Sequence, residues 1–271
     1  MNQGLMRKSA REVWLGTLLF AVALGVTEAL LSFVIPTLLS TYGEQILQME
    51  FVQRIIAALL GLPPTTTVSA VMAVAFPWVH PVVLAILWIT AIWLGTRIPV
   101  GEIDRGTVDI LLSLPISRAA VLVNDAVVSL VAGVLVVACA AIGHVAGNRL
   151  AASDTTISLF VTMGIAVNLL AMYVAVLGLT YLTSACSERR GRAVGLTLAL
   201  VLASFFLSFL AQFWSPAKQV EALGIMNYFR PMHAVQKGGW AILDIIILVG
   251  FGMVSWTVAL GVFVRRDIRT S

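Results

Sequence analysis

Residues 13–39 read VWLGTLLFAVALGVTEALLSFVIPTLL, a run of 27 residues in which Glu28 is the one ionisable side chain. A helix needs about 20 apolar residues to cross the hydrocarbon core of a bilayer. Its backbone must be helical, because lipid offers no hydrogen-bond partner to an unpaired amide. The run is also longer than the apolar region of a cleavable signal peptide, which has about 7–15 residues. We therefore predict a retained membrane span.

The composition of the whole chain agrees with this prediction. Hydrophobic residues make up 60% of the 271 residues and charged residues 11%, whereas a soluble domain carries about 25% charged residues. We predict an all-α membrane protein, a single transmembrane domain over 1–271 with residues 1–12 as an interfacial lead-in. The six predicted transmembrane helices are 13–39, 68–96, 120–145, 156–186, 193–214 and 241–264.

The distribution of basic residues predicts the orientation. Twelve of the 17 Lys and Arg residues lie in segments 1–12, 97–119, 187–192 and 265–271. Basic residues collect on the cytoplasmic side of membrane proteins, so both termini are predicted to be cytoplasmic. The net charge of +4 indicates contact with membrane lipids and not with nucleic acid, because no basic patch is interleaved with exposed aromatic residues.

Two predicted outer connections are too apolar to be simple loops. Apolar residues recur at spacings of three and four between Ile46 and Leu60, which favours an amphipathic helix. Segment 215–240 contains Tyr228, Phe229 and Met232, and we predict that it tucks partly back into the protein before the sixth helix.

Polar residues within the predicted spans are candidates for a transport path, since buried charge in a membrane is costly. Glu28 and His80 each lie 17 residues from a basic residue of the cytoplasmic side, about 25 Å in depth, so a contact between them is permitted. Asn168 is a third candidate. The other interpretation of Glu28 is a buried hydrogen bond that fixes helix packing. Pro77 and Pro81 predict a kink or break in the second span.

Several catalytic functions lack the residues that they need. A phosphate-binding loop requires a lysine after glycine, and none of Lys8, Lys218 and Lys237 follows one. The motifs HExxH and GxSxG are absent, and isolated histidines do not supply a metal site. We predict a non-enzymatic chain without cofactor or metal. An ion-coupled carrier or channel with Glu28 as a relay is the alternative, and an intramembrane enzyme is a third.

The predicted cytoplasmic loop 97–119 contains the most distinctive motif, GEIDRGTVDILLSLPISR at 101–118. Its charged start and apolar middle, followed by Pro115, predict a short helix along the membrane surface. Such a helix can be a docking surface for a soluble partner or a simple solvated connection. Asp104 and Arg105 would lie on its outward face.

The pattern of this loop resembles the permeases of the type 2, exporter-like ABC transporter family. It is similar in particular to the branch that contains the permease of nitrous-oxide-reductase maturation. The resemblance implies a coupling helix that docks on a separate ATPase, although Asp104 and Arg105 fall where the family varies. The matching residues are Glu102, Gly106, Thr107, Pro115, Ser117 and Arg118.

The resemblance also implies the assembly. Two permease copies, identical or homologous, would work with two cytosolic ATPase copies that hold the ATP and magnesium. It implies an outer re-entrant segment before the last helix and a bacterial or archaeal inner membrane. It does not identify the substrate, and it does not decide between export and import.

Overall fold

A computed structural model describes residues 3–62, 74–108, 116–151 and 157–266 of the chain. Within these ranges all regular secondary structure is helical. The α-helices are α1 Gln3–Gln48, α2 Glu50–Leu59, α3 Phe76–Val79, α4 Pro81–Gly95, α5 Val100–Asp104, α6 Arg118–Leu150, α7 Leu159–Cys186, α8 Arg190–Leu210, α9 Ser215–Val220, α10 Pro231–Lys237 and α11 Ile242–Arg265. Two 3₁₀ turns, Glu221–Leu223 and Ile225–Tyr228, join α9 to α10.

Five of the described helices, α1, α6, α7, α8 and α11, are long and apolar enough to cross a membrane. The predicted second span is divided. Its first residues, 68–73, lie outside the described ranges, and the remainder breaks at His80 into α3 and α4. The break at Pro77 and Pro81 is thereby confirmed, and it leaves α4 with 15 residues.

Helix α1 is longer than the predicted first span. It runs without interruption through residues 3–12, the predicted lead-in, and past Pro36 to Gln48. The predicted amphipathic helix of the first outer connection is shorter than expected. It is α2, in which Ala57 and Ala58 are buried while Phe51 is exposed.

Helix α7 lies at the centre of the bundle and is the most buried of the five long helices. It packs against α4, α6, α8, α10 and α11. Helix α1 packs along α6, and α11 packs along α7. The bundle thus contains two closely packed helix pairs, α1 with α6 and α7 with α11.

Glycines allow the close approach within both pairs. A Cβ atom on Gly143 or Gly147 of α6 would collide with the backbone of α1 at Gly25 or Ala29. A Cβ atom on Gly178 of α7 would meet the α11 backbone in the same way. Small residues let helix backbones pack directly in lipid. The motif Gly143-x-x-x-Gly147 therefore serves a helix pair within this chain.

Segment 215–240 folds back against the bundle. The backbone N–H of Met226 donates to Ser204 Oγ of α8 at 3.0 Å, and Trp240 Nε1 donates to the carbonyl of Phe160 in α7 at 3.1 Å. Phe229 and Met232 are buried. The segment is thus a packed part of the protein and not a free loop.

Helix α11 offers a matched test of the close packing. A methyl group at Gly252 would meet the α7 backbone at Val174, whereas a methyl group at Gly250 meets nothing within 4 Å. We expect Gly252→Ala to destabilise the detergent-solubilised protein by about 1–3 kcal/mol through overpacking. Gly250→Ala should be neutral or slightly stabilising, because alanine favours helix. Equal thermal midpoints for the two variants would contradict this packing.

Candidate functional site

The turn after α5 is organised by Glu102, whose side chain points back into its own loop. One carboxylate oxygen of Glu102 accepts from Arg105 Nη2 at 2.8 Å, and the other accepts from Thr107 Oγ1. The backbone N–H of Thr107 also donates to the Glu102 carbonyl at 3.0 Å. Gly106 has φ +70°, a conformation that glycine adopts without the penalty of a Cβ. Glutamate, arginine, glycine and threonine at these spacings therefore build a closed turn.

This turn exposes some of the predicted docking residues and buries another. Asp104, Arg105 and Gly106 are exposed, Thr107 is half-buried, and Glu102 is 9% exposed. Glu102 thus shapes the turn, while Asp104 and Arg105 form its accessible surface.

The far end of the predicted loop is described only in part. Pro115 lies outside the described residues, as do all of residues 109–115. Ser117 caps α6 by accepting from the backbone N–H of Ala120 at 3.1 Å. Arg118 donates to the carbonyl of Arg266 at 2.6 Å. Both residues therefore anchor the start of α6, and Arg118 ties it to the end of α11.

A buried ion-pair network lies just before the turn. Arg97, which follows α4, binds the carboxylate of Asp125 in α6. Its other terminal nitrogen is 2.5 Å from Glu12 Oε2 of α1. The Asp125 side chain is fully buried and that of Arg97 is 11% exposed. Through these two contacts Arg97 joins the end of α4 to α1 and α6. Its pair with Asp125 is largely shielded from water.

The network continues into α7 through two tyrosines. Tyr181 donates to Asp125 Oδ2 at 2.8 Å and lies 3.1 Å from Ser129 Oγ. Tyr173 donates to the carbonyl of Ser129 at 2.7 Å. The partners in this network were not predicted from the sequence. The available signal was the acid Asp125 inside a predicted span, because a buried acid requires a partner in lipid.

A second polar cluster lies between α1 and α6, around His144. Glu28 Oε2 is 3.5 Å from His144 Nδ1, and Ser32 Oγ is 2.8 Å from the same nitrogen. Trp78 Nε1 and Asn148 Nδ2 lie 3.4 Å and 3.0 Å from His144 Nε2. Glu28 is fully buried, and its oxygens have no hydrogen bond among the described residues.

The three predicted transport-path residues occupy three separate places. His80 Nδ1 accepts from the backbone N–H of Val82 at 3.3 Å and so caps α4. The contact that equal depth permits between Glu28 and His80 is not formed, because the chain break turns His80 toward the start of α4. Asn168 instead donates to the carbonyl of Tyr228 at 3.2 Å, joining α7 to the outer segment.

The comparison with protein families identifies the class of protein. A family model described as ABC-2 family transporter protein matches residues 6–268. The chain belongs to this family. No curated protein matches the sequence of this ABC-2 chain. The match covers the turn at Glu102, both polar clusters and all five long helices.

Membership of the ABC-2 family assigns the general function. The chain is a multi-pass membrane protein and the permease component of an ABC transporter. Permeases of this family are generally non-catalytic membrane subunits and normally work with an ABC ATPase subunit.

The buried Arg97 network predicts a large effect on stability. Arg97→Gln leaves Asp125 buried without its cation, and loss of one partner of a buried pair costs about 3–5 kcal/mol. The free energy of unfolding from denaturant titration in mild detergent measures this loss. Adding Asp125→Asn should recover part of it.

An exposed ion pair near the same network provides the control. Lys8 and Glu12 are 3.7 Å apart with side chains 58% and 42% exposed. Lys8→Gln should change stability by less than about 1 kcal/mol. Comparable losses of stability for Lys8→Gln and Arg97→Gln would show that the buried pair contributes no more to stability than the exposed one.

The second cluster predicts that His144 is more important for folding than the Glu28 charge. His144→Ala removes the partner of Ser32 and Trp78, and a buried polar group left unpaired costs about 1–3 kcal/mol. Glu28→Gln keeps the shape of the side chain and should leave the amount of folded protein unchanged. Gel filtration and thermal unfolding check both variants. A folded Glu28→Gln protein that has lost transport would instead assign Glu28 to the transport path.

Proposed function

We propose that this permease is driven through the turn at Glu102 by a separate cytosolic ATPase. The observation that supports the proposal best is the construction of this turn. Its ordering contacts are internal, and Asp104 and Arg105 remain available on its surface. An exposed, charged turn that its own hydrogen bonds hold in shape suits a soluble partner that must push on it.

The connections of the turn supply a mechanical route into the bundle. The backbone N–H of Val100, in α5, donates to Ser184 Oγ of α7 at 3.2 Å. Arg190, which begins α8, donates to Thr96 Oγ1 at 3.3 Å. Arg97 precedes the turn and binds Asp125 of α6. A displacement of the turn would therefore act on α6, α7 and α8 together.

The complete arrangement that we propose has six membrane helices and both termini in the cytoplasm. The break at His80 suits a second span made of α4 and the residues before it. The excess of basic residues in 97–119 and 187–192 supports the cytoplasmic position of the turn. The packed segment 215–240 supports a re-entrant element on the outer side.

We further propose an assembly of two permease copies with two ATPase subunits, which hold the ATP and magnesium. The second permease would be an identical chain or a homologue. The sequence pattern around Glu102 and Ser117 supports a permease of a bacterial or archaeal inner membrane, close to the exporter-like branch of nitrous-oxide-reductase maturation. An ion-coupled carrier fits less well, because the family works with an ATPase.

Charge reversal on the exposed part of the turn tests the docking proposal. Asp104 is exposed and makes no hydrogen bond to another described side chain. We expect Asp104→Arg to reduce co-purification of the ATPase by about fivefold or more, because one unfavourable contact of 1 kcal/mol corresponds to about that factor. The measurement is the ratio of ATPase to tagged permease after purification from membranes.

The matched control reverses a charge at the opposite end of α6. Arg149 is exposed in the last turn of that helix, and Arg149→Glu should leave the ratio unchanged. A variant at Gly106 is a poor choice, because its positive φ makes any side chain strained. Full retention of the ATPase by the Asp104→Arg protein would refute docking at this turn.

A further inference from the structure

A cavity of about 200 Å³ lies between α2, α8 and the outer segment. It is at the opposite end of the bundle from the turn at Glu102, since α8 begins beside Thr96 and ends at Leu210. Its walls come from separate parts of the chain that fold together. It is therefore a built feature of the fold and not a gap between neighbouring residues of one helix.

Part of the cavity wall is apolar and largely aromatic. Phe205 and Phe209 of α8 line it together with Met226 and Phe229 of the outer segment. Met226 and Phe229 are buried. The Phe205 ring also packs edge-on against Trp88 of α4, with ring centroids 5.9 Å apart. This wall suits a flat apolar or aromatic body.

Polar groups also line the cavity. Lys218 is one of them, and its ammonium forms no salt bridge or hydrogen bond within the described ranges. Ser208 Oγ is buried, lines the same cavity, and has no hydrogen-bond partner among the described residues. A buried hydroxyl without a partner is uncommon in native proteins. The exposed Lys218 ammonium can donate to an anion directly, and the Ser208 hydroxyl can do so once its side chain turns toward the cavity.

The remaining charged groups are held in position. Arg230 donates to both carboxylate oxygens of Asp244, at 2.6 Å and 3.3 Å. Glu221 lies 3.5 Å from Gln212 Nε2. Burial raises the pKa of Glu221, while Lys218 and Arg230 act in the opposite direction. Of the two cations described in the lining, Lys218 is the one whose ammonium makes no hydrogen bond or salt bridge.

We propose that this cavity binds a small organic anion with an aromatic or apolar body. The body packs against Phe205 and Phe209, and the anionic group binds the Lys218 ammonium and the Ser208 hydroxyl. The site lies within one copy of the chain, and its occupancy is independent of the ATPase. It therefore goes beyond the proposed function, and either can fail without the other.

Binding of benzenesulfonate to the permease in lipid nanodiscs tests the proposal. Saturation-transfer NMR gives the affinity, with empty nanodiscs as the baseline. We expect saturable binding of benzenesulfonate and much weaker binding of benzyl alcohol, which has the same ring without the charge. Lys218→Gln should weaken benzenesulfonate binding by about fivefold, the upper end of what an exposed ion pair contributes.

Further variants separate this site from general attraction to a basic surface. Lys237 lies on α10 and does not line the cavity, so Lys237→Gln should leave the affinity unchanged. Phe209→Ala should weaken binding in a protein that still elutes as a folded species. The proposal is overturned if benzenesulfonate does not bind, if benzyl alcohol binds equally well, or if Lys218→Gln and Lys237→Gln have the same effect.

Discussion

The ion pair between Arg97 and Asp125 is the interaction on which the end of the bundle that carries the Glu102 turn depends. Neither charge can remain buried without the other, because a single desolvated ion is far more costly than a pair. The second contact of Arg97, with Glu12, adds α1, and Tyr181 adds α7. One arginine thereby fixes the relative positions of α1, α4, α6 and α7, only a few residues before the turn that we assign to the ATPase.

Two kinds of contact hold the helices together, close backbone packing at glycines and polar bonds between side chains. Glycine contacts at Gly143 and Gly178 bring backbones together along the lengths of two helix pairs. Such contacts are short-range and leave little freedom to slide. Hydrogen bonds and ion pairs join the helices at the end that carries the turn, through Arg97, Val100 and Arg190. If the ATPase acts on the turn, as we propose, its force would reach the paired helices through these contacts.

The sequence predicted the class of fold well because hydropathy and lipid together leave few options. Five of the six predicted spans are long apolar helices, the prolines at 77 and 81 flank a break, and segment 215–240 packs against the bundle. The partners of buried polar residues were not predictable. A helix that is apolar on every side gives no periodicity from which its rotation can be read, so nothing in the sequence joined Glu28 to His144 or Asp125 to Arg97.

The most direct measurement is the labelling of a cysteine at position 104 in sealed membrane vesicles. Cys139 and Cys186 are free thiols and would first be replaced by alanine. With Asp104→Cys, we expect a membrane-impermeant maleimide to label inside-out vesicles only, and bound ATPase to block that labelling. Labelling from the outer face, or labelling that the ATPase does not reduce, would contradict the assignment of this turn as the place where the ATPase acts.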